Sequence, residues 1–290
     1  MGVDGYVSSH LATIQADENR LLPEFAYYLL TKIDAKSLTA DQSYPSLRLG
    51  DIEKIQIPLP PLVVQEQIVT ELDGYSAIID GAKKILKNWK PRIDVDPEWN
   101  SAAIGDLGLF IRGPFGGSLK KEIFKPSGNA VYEQQNAIGK TFESFRYFID
   151  DAKFEEMKRF SVQAGDLIMS CSGTFGKVAI VPEGSPKGVI NQALLLIRVN
   201  ESVLPKYLEI AMESPEFQSL ISGAAQGTSL KNVPSVDEIK SMRIALPPVE
   251  EQSRIVALVE LEKMQITNLL TLSTDYESQI SKVIGNLWNE

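Results

Sequence analysis

Cysteine and histidine are almost absent from this sequence of 290 residues, in which Cys171 and His10 are each the only one of their kind. A disulfide needs two cysteines, and a zinc site made of cysteine and histidine needs three or four such side chains. Any Ser-His-Asp triad would have to use His10, which we interpret as a structural residue. The composition excludes an internal disulfide and a Cys/His metal site, and we expect no bound metal.

The sequence also lacks the short motifs of common enzymes. It has no Asn-Pro-Pro-aromatic motif for methylating a base amino group and no G-x-G-x-x-G, and residues 173–177 lack Walker A spacing. Asp237, Glu238 and Lys240 faintly resemble a nuclease carboxylate cluster, but an internal repeat has Glu53 in place of Lys240. We interpret this cluster as the start of a packed helix. We therefore expect no catalytic residues, no cofactor and a chain that is not an enzyme by itself.

Long apolar runs and a positive net charge are missing as well. No apolar segment approaches the ~20 residues of a membrane helix, and one cysteine fits a reducing compartment, so we expect a cytoplasmic protein. The net charge of −9 argues at first against nucleic acid. However, residues 95–200 hold 12 basic and 12 acidic side chains, so all of the excess negative charge lies elsewhere. A local basic face on an acidic scaffold can still bind phosphate.

The most informative segment of the chain occurs twice, 187 residues apart. Residues 55–72 read IQIPLPPLVVQEQIVTEL, and residues 242–259 read MRIALPPVEEQSRIVALV. In both copies a β-rich run meets two prolines, which cannot continue a strand, and a helical pattern then begins. Gln65 and Gln252 occupy the same position in the two copies. The long period indicates a duplicated domain rather than a solenoid.

The repeat continues upstream and predicts that the first copy is shortened. Residues 7–11 align with residues 190–194, and residues 21–28 resemble residues 204–210. At this offset Met1 corresponds to Gly184, whereas the second module begins near Trp99, about 85 residues earlier. We therefore expect a chain that is truncated within its first module.

Each copy of the repeat opens a long helix with an apolar seam. Apolar residues recur at alternating steps of four and three, as in a coiled coil. In the first helix the seam is Ile68, Leu72, Tyr75, Ile79, Ala82, Leu86 and Trp89. The same register in the second helix gives Ile255, Val259, Ile266, Leu269, Tyr276, Ile280, Val283 and Leu287. A free helix of this kind is unstable in water, so we predict that the two helices pair as an antiparallel coiled coil. The alternative is that each helix packs on the core of its own module.

Polar and basic side chains gather in four loops of the second module. Amides and hydroxyls suit contacts with base edges, and lysine and arginine suit contacts with phosphates. The candidate DNA-binding residues are Arg112, Ser118, Lys120, Lys121, Gln134, Gln135, Asn136, Ser172, Thr174, Lys177, Gln226, Ser229 and Lys231. For each loop taken alone, ordinary turn chemistry is the competing explanation.

These motifs together resemble the specificity (S) subunit of type I restriction-modification systems. The resemblance is carried by the repeated LPP-x-x-x-Q-x-x-I-V junction, by GPFGGSLKK at residues 113–121 and by GDLIMSCSGTFGK at residues 165–177. It extends over essentially the whole chain. In that family, two target-recognition domains each read one half of a split DNA site. Two long helices hold these domains apart and bind the methyltransferase subunits.

The resemblance implies an α+β fold in which globular mixed α/β recognition domains alternate with the two long helices. The C-terminal part of a first recognition domain would occupy residues 1–60, and a first spacer helix residues 61–92. A complete second recognition domain would occupy residues 93–248, and a second spacer helix residues 249–290. The implied partners are double-stranded DNA, methyltransferase (modification) subunits and, through them, restriction subunits, without a membrane.

Two other functions stay open from the residues alone. The chain would be the recognition region of a fused methylase-nuclease, although the missing motifs argue against this. Alternatively, it would be a truncated interaction protein that associates with itself or competes for methylase subunits.

Overall fold

The computed structural model describes residues 13–34, 38, 48–115, 117–225 and 234–288, with the backbone alone for Ala224 and Ala225. The chain divides into two compact units. Unit 1 comprises Met1–Trp89 and Met264–Glu290, and unit 2 comprises Lys90–Lys263. His10 and residues 7–11, which the upstream part of the repeat includes, lie outside the described residues.

Helices and strands are both well represented. The helices are α1 (Pro23–Thr31), α2 (Leu49–Ile52), α3 (Leu62–Asn88), α4 (Gln134–Gly139), α5 (Asp151–Glu156), α6 (Pro205–Glu213), α7 (Pro215–Ala225), α8 (Val236–Ser241) and α9 (Val249–Asn286). The strands are β1 (Asn100–Ala103), β2 (Gly108–Arg112), β3 (Asn129–Tyr132), β4 (Phe148–Ile149), β5 (Leu167–Ser170), β6 (Val178–Ile180), β7 (Gly188–Ile190), β8 (Leu194–Val199) and β9 (Arg243–Leu246). This mixture, with two long helices, confirms the predicted α+β class.

The described residues of unit 2 form three small sheets. The largest has the order β2-β8-β5-β6 and is antiparallel throughout, and a second has the order β4-β3-β7, in which β3 and β7 are parallel. The third sheet pairs β1 with β9, so the two ends of the second module meet. Four consecutive residues of β8 are fully buried, Leu194 to Ile197. Leu195 and Ile197 join one apolar cluster, and Leu194 and Leu196 join another. The period-2 alternation of a strand thus lets β8 fill the core on both faces of its sheet.

Unit 1 is built from α1, α3 and the last part of α9. Phe25, Tyr28 and Leu29 of α1 share an apolar cluster with Leu72 of α3 and Ile284 of α9. The predicted seam of α3 is its least exposed stripe, because every seam position is buried or half-buried. The same holds from Ile266 to Leu287 on α9, where Ser273, which continues the register between Leu269 and Tyr276, is also buried. Over this region the least exposed stripe coincides with the heptad register read from the sequence.

Contacts along unit 1 give the relative direction of the two helices. Near the start of α3, Leu72 clusters with Ile284 at the end of α9. Near the end of α3, Lys83 forms an ion pair with Glu277, which lies earlier on α9, at 2.8 Å. Tyr75, which lies between Leu72 and Lys83 on α3, stacks on Tyr276, with ring centroids 5.0 Å apart. The helices therefore run antiparallel, as predicted.

The first two predicted seam positions of α9 have a different role. Ile255 and Val259 are buried in unit 2, where Ile255 belongs to the cluster under β5 and β8. Val259 lines a cleft in which Trp99 also lies. The first turns after the proline pair pack on their own module, as the alternative prediction required. The coiled-coil interpretation of these two residues is wrong, although their burial was predicted.

The glutamine shared by the two copies is a buried backbone clamp. The Gln252 amide accepts a hydrogen bond from the Leu204 N–H at 2.8 Å and donates to the carbonyls of Ser202 and Pro247 at 3.0 and 2.9 Å. Gln65 makes the matching three bonds, to Leu22, Arg20 and Pro60. Each clamp joins the proline junction to the residues before a proline-initiated helix. The repeat is therefore conserved in three dimensions as well as in sequence.

The faint carboxylate cluster before the second junction is a helix start, as predicted. Ser235 and Glu238 form a reciprocal capping box at the N-terminus of α8. These bonds satisfy two backbone N–H groups that a helix end leaves free, and the Ser235 N–H lowers the pKa of Glu238. The Glu238 carboxylate is therefore part of the N-terminal cap of α8.

Candidate nucleic-acid interface

The largest sheet of unit 2 brings three loops to one edge. β2 ends at Arg112 opposite Leu195, and β5 ends at Ser170 opposite Leu194, so both strands end where β8 begins. β6 begins at Val178, opposite Met169 near the end of β5. We name residues 113–120 loop A, residues 171–177 loop B and residues 191–193 loop C, and the sheet edge from which all three leave the loop edge.

The second sheet adds the start of α4 to the same place. β3 ends at Tyr132 and β7 ends at Ile190, and these parallel strands pair at those residues. The N–H of Asn191, the first residue of loop C, donates to the Tyr132 carbonyl at 2.9 Å. Because α4 follows β3 directly, its first residues lie beside loop C. Sequence motifs 60 residues apart are thereby collected on one surface.

Loop A is anchored to loop C through a glycine. The Gly113 N–H donates to the Leu194 carbonyl at 2.9 Å, and a Cβ at this position would lie 1.8 Å from the Asn191 carbonyl oxygen. No other residue fits this close approach of two backbones. Arg112, just before the loop, is exposed and donates one bond to the Leu194 carbonyl at 3.0 Å. Beyond the loop, the predicted phosphate-binding residues Lys120 and Lys121 are exposed, while Ser118 is half-buried.

Loop B is a tight turn closed by its own backbone. The Ser170 Oγ accepts from the Lys177 N–H at 3.0 Å, and the Gly176 N–H donates to the Ser170 carbonyl at 2.9 Å. Gly176 has a positive φ of 77°, a conformation that favours glycine. Ser172, Thr174 and Lys177 all point their side chains into solvent. A fixed turn with two hydroxyls and one cation at its surface suits contact with a polyanion.

Cys171, at the base of loop B, takes no part in chemistry. It is buried, and burial raises the pKa of its thiol to about 11. The thiol donates weakly to the Met169 carbonyl at 3.5 Å. A protonated, enclosed thiol is a packing residue rather than a nucleophile.

The three neighbouring amides of α4 have three different environments. Gln135 is exposed, and its amide donates a long bond of 3.4 Å to Glu133. Gln134 is half-buried, and its Oε1 is enclosed without a hydrogen-bond partner in the described chain. Asn136 is buried, accepts from the Glu133 N–H at 2.8 Å and donates to the Thr141 carbonyl at 2.8 Å. The Asn136 amide is used by the helix cap, so we withdraw the prediction that it reads a base.

A buried carboxylate forms an ion pair at the C-terminal end of α4. Glu209 of α6 lies 2.6 Å from the Lys140 Nζ, at the end of α4, and 2.9 Å from the Lys206 Nζ. Burial acts to raise the pKa of Glu209, but the two lysines outweigh it and hold this pKa below its usual value. Lys140 itself adopts a left-handed backbone with φ 51°. The ion pairs therefore hold the helix that carries Gln134 and Gln135.

Three predicted residues, Gln226, Ser229 and Lys231, lie outside the described residues. Helix α7, which leads to them, contacts loop B: the Gln218 amide donates to the Gly176 carbonyl at 3.1 Å. Two further exposed residues lie at the loop edge and were not predicted from the sequence, Gln192 in loop C and Phe115 in loop A. A single amide and a single aromatic ring carry no periodic signal, so only the strand register reveals their placement.

Neither a metal centre nor a membrane span is found among the residues that the structure describes. No group of three or more histidine, cysteine, aspartate or glutamate side chains is placed to hold a metal ion there. Among the same residues no helix is both long and apolar enough to cross a bilayer.

Comparison with known proteins identifies one family to which the chain is similar. The chain matches the family model for the type I restriction modification DNA specificity domain over residues 2–88 and 97–270. It is similar to the specificity subunit of the type I restriction enzyme EcoKI from Escherichia coli strain K12, at 26% identity over 286 residues. That alignment covers 87% of this chain and 59% of the EcoKI subunit, so the chain spans about three fifths of the relative's length.

Two solved structures share its fold. A chain from a structure of a type I R-M system superimposes with a TM-score of 0.61 at 19% identity, covering 95% of this chain and 72% of that one. The HsdS subunit from Thermoanaerobacter tengcongensis gives a TM-score of 0.50, also at 19% identity, covering 94% and 72%. At this identity the likeness shows a common fold alone.

Proposed function

Because the chain belongs to the type I restriction modification DNA specificity domain family, we propose that it recognises a DNA sequence and directs a methyltransferase to it. The loop edge of unit 2 would face the major groove, where base pairs are distinguishable from their edges. The observation that carries this proposal is the meeting of loops A, B and C and the start of α4 at one sheet edge. Four segments that are separate in sequence form one polar surface there.

Within this surface we assign two kinds of contact. Arg112, Lys120, Lys121 and Lys177 would bind phosphates, which position the protein without reading sequence. Gln135, Ser172 and Thr174 would contact base edges, since an exposed glutamine amide pairs with adenine N6 and N7. The half-buried Gln134 lies beside them and belongs to the proposed set. Ser118, half-buried in loop A, and Gln226, Ser229 and Lys231 complete the proposed set.

We further propose that the chain acts within a complex and is not itself an enzyme. Methyltransferase subunits, and through them restriction subunits, would supply catalysis, methyl donor and ATP in the cytoplasm. The name of the EcoKI relative, a specificity subunit of a type I restriction enzyme, supports this division of labour. The domain division at residues 60, 92 and 248 is part of this proposal, with the two long helices as the parts that bind the methyltransferase.

A binding measurement tests the DNA assignment. The chain would be assembled with methyltransferase subunits, and its affinity for duplex DNA would be measured at several salt concentrations. On a logarithmic plot the slope is ~0.9 per phosphate contact. We expect the Lys120→Ala, Lys121→Ala double variant to flatten this slope by one to two contacts without changing sequence preference. Lys158, which follows α5 and pairs with Glu155 at 2.9 Å, provides the control variant Lys158→Ala.

Two results would contradict the proposal. If the wild-type complex binds every duplex with the same affinity, the chain does not recognise a DNA sequence. An unchanged salt slope in the double variant would remove loop A from the DNA contact and leave the other loops to be tested.

A further inference from the structure

The most exposed large apolar side chain of the described residues lies in loop A. Phe115 is 93% exposed, whereas other exposed apolar residues range from 36% to 64%. Scattered exposed apolar residues are normal on a protein surface. Phe115 differs because it projects at the loop edge, where the surface is otherwise polar and basic.

The two residues before Phe115 are held in place. Gly113 is bonded to β8, and Pro114 beside it is buried. The Phe115 carbonyl accepts a hydrogen bond from the Ser118 N–H at 3.0 Å. The ring therefore directly follows two anchored residues, which lowers the entropy cost of using it in a contact.

The charges beside Phe115 indicate the nature of its partner. Arg112 precedes the ring, Lys120 and Lys121 follow it, and Glu122 is the one acidic residue of this segment. A protein-binding surface is usually depleted of lysine, whereas a ring flanked in the sequence by cations suits a base pair between two phosphate strands. In the major groove the apolar feature of DNA is the 5-methyl group of thymine, which phenylalanine contacts.

We propose that Phe115 is a specificity-determining residue that packs against a thymine 5-methyl group in the half-site read by unit 2. This inference rests on the proposed function, because it requires the loop edge to face DNA. It assigns an apolar contact to a surface whose other candidate contacts are all polar. Loop A would then read one base pair as well as bind phosphates.

Replacing thymine by uracil tests the contact, since it removes that methyl group alone. The recognised site would first be found by sequencing DNA modified by the complex, and each of its thymines would then be replaced singly. One buried methyl is worth ~0.8 kcal/mol, so uracil at one position should weaken wild-type binding about fourfold. Phe115→Ala should weaken binding to the thymine duplex by a similar factor and show no further loss with uracil.

Leu109→Ala is the matched control. Leu109 is also exposed on β2, but it pairs with Arg198 near the far end of the strand. We expect this variant to keep the wild-type response to uracil, and both variants to melt like the wild type.

The proposal is overturned if no thymine responds, if the half-site contains none, or if Phe115→Ala keeps the full uracil effect. It is also overturned if Phe115→Ala binds DNA normally but fails to assemble with the methyltransferase, which would assign the ring to a protein contact. Failure of the proposed function itself looks different: the wild-type complex would then not prefer the mapped duplex over a scrambled one.

Discussion

Replacement of Gln252 by leucine tests whether the buried clamp holds the second module together. Leucine fills a similar volume but cannot bond. The Leu204 N–H and the carbonyls of Ser202 and Pro247 would lose their partner at a site where Gln252 is 0% exposed. A buried backbone group without a partner costs ~1–3 kcal/mol, and carbonyls that gain a water cost less.

From these contacts we expect Gln252→Leu to lower the free energy of unfolding of unit 2 by about 3 kcal/mol. For a domain of this size each kcal/mol lowers Tm by ~2–4 °C, so the transition should shift by roughly 6–12 °C. Calorimetry of the full chain would measure the shift. Gln279→Leu, at an exposed position of α9, is the control and should melt within about 1 °C of the wild type.

The twin site gives an internal check. Gln65 is also 0% exposed and makes the same three bonds in unit 1, so Gln65→Leu should lower the stability of that unit by a similar amount. If Gln252→Leu stays within about 0.5 kcal/mol of the wild type, which is the range of an ordinary surface change, the clamp is not stabilising and the reasoning is refuted.

Three further predictions concern the helix pair, the recognition amides and the buried carboxylate. Ile79→Asp should destabilise unit 1 by ~3 kcal/mol or more, because it buries a charge in the seam. Ile78→Asp, on the exposed side of the same helix, should not destabilise it. If the two variants melt at the same temperature, the seam is not buried. Gln135→Ala should relax the modified sequence at one base pair with normal stability, and Asn136→Ala should do the reverse, lowering stability by ~1–3 kcal/mol through loss of the cap while keeping the preference. A carboxylate with a lowered pKa contributes stability above its ordinary pKa, and this stability is lost as pH falls through the folded pKa. Glu209→Gln should therefore reduce stability by about 2 kcal/mol at pH 7 and converge with the wild type in acid. A constant difference in stability from pH 7 to pH 3 would contradict this.

The long helices were predictable because their signal is local. The alternation of steps of four and three depends on the chain itself, and it located the buried stripe of α3 and of α9 from Ile266 onwards. It failed in one respect at Ile255 and Val259, where burial was predicted correctly but the partner was not. A heptad register states which side of a helix is buried, and only tertiary packing decides what covers it.

The site was only partly predictable for the same reason. Residues 134–136 form one amide cluster in the sequence, yet a single helical cap separates the exposed Gln135 from the buried Asn136. The equivalence of Gln65 and Gln252 was evident from the repeat. Their role was not, because their partners lie 43 to 50 residues earlier in the chain as well as at the adjacent proline junction. The meeting of loops A, B and C depends on strand register, which no motif records.

We propose that the loop edge of unit 2 selects the DNA sequence that a methyltransferase modifies. The most direct test of this proposal is to sequence modified DNA from cells that carry this chain with methyltransferase subunits, and to repeat this with Gln135→Ala and Thr174→Ala. The account predicts one recurring sequence for the wild type and a relaxed base pair, confined to one part of that sequence, for each variant. Modification of the same unaltered sequence by all three proteins would contradict it.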